Sequence, residues 1–177
     1  MISFNKLTHF PLLLIIGTLL SLPVKAETFT VGVVPQFDIK TLYKIWSPIF
    51  NVLEEKTGHK FEFTGSKDIP SFEKDFSMGR FDFAYMNPFH YTSSKQYAPL
   101  VKDHGRKLFG ILAVKKDSEI TSPEQLDGTT LAFPAPNALG ASMMIRAELA
   151  EKYGINITPK YVKTHSSVYL NVALGLM

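Results

Sequence analysis

Apolar and polar positions along this chain recur with two different periods, and the switches between them mark its elements. Thr28-Phe29-Thr30-Val31-Gly32-Val33-Val34 has strand character and ends at Pro35. From Ile39 to Thr57 the period lengthens. Leu42, Ile45, Trp46, Ile49 and Leu53 fall on one face at helical spacing, and Gly58 stands where a helix would stop. Phe61 to Phe63 reads as a second strand, Ile69 to Met78 as a short helix closed by Gly79, and Phe81 to Met86 as a third strand. Asn87 and Pro88 suit the cap and first turn of the next helix. Leu108 to Val114 is an apolar run expected to be a strand.

Asp117 to Gly128 is rich in Ser, Pro, Asp and Gly and is the best candidate for a domain boundary. Beyond it the alternation resumes. Thr129 to Phe133 predicts a strand, Pro134 to Leu139 a loop, and Gly140 to Tyr153 a helix stopped by Gly154. Tyr161 to Lys163 predicts another strand, and Ser166 to Leu176 a last helix. Repeated strand–helix crossovers imply an α/β fold with mainly parallel pairing.

The N-terminus changes the picture from a plain α/β chain to an exported one. One Lys precedes the apolar run Leu12 to Leu20, and Val24-Lys25-Ala26 places short residues where a signal peptidase reads. A secretory leader cleaved after Ala26 is expected. The run is too short to span a bilayer comfortably, so no membrane anchor is expected after processing. The chain contains no Cys, which excludes disulfides, thiolate metal sites, a Cys nucleophile and cysteine-linked lipid. The net charge is +3. Taking Lys6 and Lys25 from the 19 Lys and Arg leaves 17 against 16 Asp and Glu. That balance argues against a nucleic-acid binder. His59, His90 and His104 lack a metal-ligand spacing with carboxylates, and there is no Gly-x-Ser-x-Gly or P-loop, so no metal, cofactor or catalytic apparatus is expected.

Three places carry candidate binding chemistry. Asn137, Ala138, Leu139, Gly140, Ala141 and Ser142 follow a strand and open a helix, where free N–H groups and the helix dipole favour an anion. The same stretch also reads as an ordinary strand–helix turn. Tyr85 ends a strand at the carboxyl edge where open α/β sheets bind ligands, though a core aromatic would look the same. His165 lies between a strand and a helix and can donate to an anion; Ser166 beside it can donate too, or cap the helix.

Several segments, taken in order, resemble the periplasmic binding proteins for phosphonate, phosphite and phosphate. Gly32-Val33-Val34-Pro35, Trp46-Ser47-Pro48 and Glu54-Glu55-Lys56-Thr57-Gly58 resemble that family's opening strand and helix. Gly79-Arg80-Phe81-Asp82-Phe83-Ala84-Tyr85 resembles its third strand. Lys116-Asp117-Ser118 with Leu126-Asp127-Gly128 resembles its linker, and Thr164-His165-Ser166-Ser167 lies where the family has a ligand-contacting His. The resemblance implies two lobes of the type II periplasmic-binding-protein kind, closing on a small anionic ligand and delivering it to the membrane permease of an ABC importer. It divides the chain into a leader at residues 1–26, a first lobe at 27–115 and a partial second lobe at 116–177, as if truncated at the C-terminus. A sensor feeding a membrane kinase is the alternative in the same compartment, and an enzyme on the same fold a more distant one. The chain departs from the family where a Ser-Thr-Ser-Gly run gives way to Asn137 to Ser142, and where a family Tyr is matched by Ile69. An anion with fewer hydroxyl contacts, carrying an organic group near Leu139, is expected.

Overall fold

The structure is a computed structural model that describes residues 25–177, so the expected leader lies outside the described residues apart from Lys25 and Ala26. The first lobe is built around β1 (Thr28–Val33), with β2 (Lys60–Gly65) and β3 (Phe83–Tyr85) parallel on either side. α1 (Ile39–Thr57) links β1 to β2. It starts because the Asp38 carboxylate accepts from the Thr41 N–H at 3.0 Å and from its hydroxyl at 2.7 Å. It stops at Gly58, whose φ of 72° is left-handed and whose N–H reaches the Glu54 carbonyl. The apolar stripe is wider than the surface available to cover it. Leu42 and Phe50 are buried and Trp46 half-buried, while Ile45, Ile49 and Leu53 stay exposed.

α2 (Ile69–Ser77) and α3 (Pro88–Ser93) complete this lobe. Phe72 and Phe76 of α2 join Val34 and Phe81 in one buried cluster. The Phe81 ring lies directly against the Cα of Gly32, in the middle of β1. Asp82 ties β3 to β1: its carboxylate accepts from the Thr30 N–H and hydroxyl, each at 2.7 Å. The backbone and then the side-chain bond from Thr30 hold its carboxyl below the usual range. The acidic position of the third-strand motif is thus occupied by a strand-to-strand fastener.

The second lobe pairs β4 (Thr130–Phe133) with β5 (Thr158–Tyr161), again in parallel. A π-helical stretch at Leu139–Met144 runs into α4 (Ile145–Tyr153), and Gly154 ends it at φ 68°. Leu126, Phe133, Ile145, Leu149 and Ile155 form the core. α5 (His165–Ala173) closes the described chain. The fold is α/β, with two lobes of parallel sheet and flanking helices.

Several local expectations are corrected. The helix expected from Gly140 begins as a π turn at Leu139. The strand expected at Tyr161–Lys163 lies earlier, at Thr158–Tyr161, and Lys163 adopts a left-handed φ of 73° that no strand can continue. Ser166 does not cap the last helix; Thr164 does, its hydroxyl accepting from the Ser167 N–H at 3.1 Å. Leu108 to Val114 forms no strand, and Phe109 is 72% and Ile111 80% exposed. A strand is defined by bonds to a neighbouring strand, and among the described residues no strand pairs with this run.

Candidate ligand site

The two lobes meet at the carboxyl ends of their strands. Asn87, two residues past the end of β3, donates from Nδ2 to the Asn137 carbonyl at 3.3 Å. Ile69, the first residue of α2, is buried against Ala135 and Ala138. These contacts set the loop after β4 against the first lobe.

That loop leads into the turn where anion donors were expected. The N–H of Ser142 is taken by the Ala138 carbonyl at 2.8 Å, and that of Met143 by the same oxygen at 3.2 Å. The N–H groups of Leu139, Gly140 and Ala141 have no acceptor among the described residues. Of the stretch from Asn137 to Ser142, the free donors are therefore those of Leu139 to Ala141, and Ser142 is not among them. The Ser142 side chain is fully buried, and its hydroxyl accepts from Arg146 Nε at 3.3 Å. Arg146 also donates to the Pro136 carbonyl at 3.1 Å, bracing the loop from behind. Ala138 and Gly140 are buried and Asn137, Leu139 and Ala141 half-buried. Leu108 lies over Gly140, so near that a Cβ there would sit 3.0 Å from its Cγ.

Ala141 and His165 share a cleft of about 490 Å³. Its walls are mostly apolar, with Ile111, Leu112, Val168 and Tyr169 among them. Burial there disfavours the charged imidazole and lowers the His165 pKa below 6.5. Ser166 is exposed beside it. Tyr85 does not line this cleft. Its ring lies 5.0 Å from that of Trp46, on the α1 side of the sheet. It remains half-exposed, and its hydroxyl has no partner among the described residues.

One feature escaped sequence reasoning. His90, 1% exposed, places Nε2 3.0 Å from a Glu73 carboxylate oxygen, with the Phe72 and Phe76 rings packed beside it at 5.9 and 5.5 Å. The partners are 17 residues apart, and no local pattern joins them. The pair resembles the base and orienter of a catalytic triad. Its Nδ1, however, finds no hydroxyl: it and the buried Ser94 hydroxyl both lack partners. Among the described residues no group of three or more acidic or imidazole side chains is placed to hold a metal, and no helix is long and apolar enough to cross a membrane.

The chain is similar to several known proteins. A phosphate-import protein of Mycolicibacterium smegmatis is 24% identical over 84% of this chain, which spans 53% of that protein. The binding-protein component of an ABC phosphonate transporter from Pseudomonas aeruginosa superposes with a TM-score of 0.70 at 16% identity, over 86% of this chain and 56% of its own. The periplasmic aliphatic sulphonate-binding protein of Escherichia coli superposes at 0.51 and 15% identity, over 86% and 50%. The chain thus spans about half the length of the relatives it matches. Residues 31–177 match the family described as the periplasmic substrate-binding protein of phosphonate ABC transporters. On that match the chain belongs to this family.

Proposed function

We propose that this chain is the solute-binding part of a periplasmic ABC import system and takes a small oxyanion of the phosphonate, phosphite or phosphate class, or a related organic anion. The observation that carries this reading is the row of unpaired N–H groups at Leu139, Gly140 and Ala141, at the start of a helical run set against the other lobe. Such a row binds an anion without needing particular side chains. The names of the relatives, which import phosphate or bind phosphonate or sulphonate, agree with it. The apolar walls beside His165 favour an anion carrying an organic group, which would lie toward Leu139 and the cleft. On this reading the lobes divide near residue 115, the leader is removed after Ala26, and the mature chain hands its ligand to a membrane permease.

Calorimetry with phosphate, methylphosphonate and phenylphosphonate tests it. Tyr85→Phe and His165→Ala are each expected to weaken binding by about 1–3 kcal/mol, the range for a lost hydrogen bond to a charged group. Two variants that bind as tightly as the parent would remove both residues from the site. The pH dependence carries a sign of its own. The pKa of His165 is depressed by burial, so the ligand-free chain loses stability as pH falls below 6.5, where the unfolded chain takes up a proton first. A bound anion raises that pKa again, so affinity is expected to rise over the same fall in pH. Affinity that is flat from pH 8 to pH 5.5 would separate His165 from the anion.

A further inference from the structure

We propose that Asn87 and Ile69 form a latch between the lobes that positions the Leu139–Ala141 donors. The description of those donors as an anion site rests on the reading above; the latch itself does not. The Asn87 amide has one possible orientation. Its oxygen must face the His90 N–H, from which it accepts at 2.8 Å as the cap of α3. Its NH2 therefore faces the other way, toward the Asn137 carbonyl at 3.3 Å and His90 Nε2 at 3.5 Å. The imidazole cannot accept there. An ionised Glu73 only accepts, so the 3.0 Å contact requires the proton on His90 Nε2. The carboxylate thus keeps the imidazole from competing, and the amide protons are left for Asn137.

Ile69 does the apolar half of the same task. It is 1% exposed and packs against Ala135 and Ala138, on either side of Asn137. Held at Ala135, Asn137 and Ala138, the loop has little freedom to rotate the peptides that follow, which are those of the free donors. Asn87 and Ile69 are positioning residues: neither needs to touch the anion.

Asn87→Ser isolates the latch, because serine caps a helix as well as asparagine but has no amide to reach Asn137. The chain has no cysteine, so cysteines introduced at the exposed Glu55 on α1 and Glu151 on α4 carry spin labels without background. The distribution of label distances is expected to broaden in Asn87→Ser relative to the parent, with no ligand added. Methylphosphonate affinity is expected to fall about five- to tenfold, the size of one lost neutral hydrogen bond. Ile69→Ala should broaden the distances further. A superimposable distance distribution in Asn87→Ser overturns the latch. Broadened distances with unchanged affinity overturn its positioning role. If the parent binds none of the anions, the proposed function fails while the distances still decide the latch.

Discussion

Replacing Phe72 with alanine is expected to remove about 3–5 kcal/mol of stability, the range for an aromatic ring lost from a core. Phe72 has no exposed surface, and its ring lies 5.5 Å from Phe76, 5.7 Å from Phe81 and 5.9 Å from His90. Those neighbours cannot collapse into the gap independently, because His90 is tied to Glu73 and Phe81 is pinned under β1. A loss of this size is comparable with the whole stability of many small domains. The effect should also reach the cleft, since α2 begins at Ile69 and α3 is capped by Asn87, the two residues that hold the second lobe's loop. Urea denaturation measures it. A change below about 1 kcal/mol would mean that the cluster around Phe72 is not packed as described.

Gly32→Val separates intrinsic strand preference from packing. Valine is a better strand former than glycine, so propensity alone predicts a gain of up to about 1 kcal/mol. A Cβ at residue 32, however, would overlap the ring of Phe81. That ring is 4% exposed and boxed in by Val34, Phe72 and Phe76, and the Tyr97 hydroxyl donates to the Phe81 carbonyl at 2.9 Å, fixing the backbone there. Overpacking of this kind costs about 1–3 kcal/mol or more, so packing is expected to win and the variant to be destabilised by about 3 kcal/mol. Phe81→Leu in the same chain should recover part of that loss, because the ring atoms in the way are gone. A stabilised Gly32→Val would overturn the placement of Phe81, and a double variant no better than the single one would show that the clash lies elsewhere.

What could be read from the sequence follows how local each signal is. The first long helix was legible from its apolar period and from Gly58, because both signals are local; the Asp38 cap that starts it emerged only in the structure. Asn87 was legible as a cap for the same reason. The alternation of strands and helices was enough for the fold class, and ordered motifs for the family. Leu108–Val114 was not legible, because its pattern records only what a strand needs in side chains and not whether a neighbour is present. The widths of the α1 stripe and of the sheet beneath it are likewise separate facts, so Ile45 and Ile49 could not be judged covered or bare. In the candidate site, the helix opening at residues 137–142 was visible, but which N–H groups stay free depends on a π turn and on the Ala138 carbonyl. The contact of Asn87 with Asn137 spans 50 residues and leaves no periodic trace.

The unpaired run from Leu108 to Val114 has a consequence for how the molecule behaves among copies of itself. Apolar, largely exposed and without a strand partner among the described residues, it has the features from which sheets grow between chains. The sequence brackets it with Arg106 and Lys107 on one side and Lys115 and Lys116 on the other, with no acidic residue between. Two copies aligning this run would bring those like charges together. The four cations act as gatekeepers against aggregation, and because their repulsion is electrostatic, salt shortens its reach.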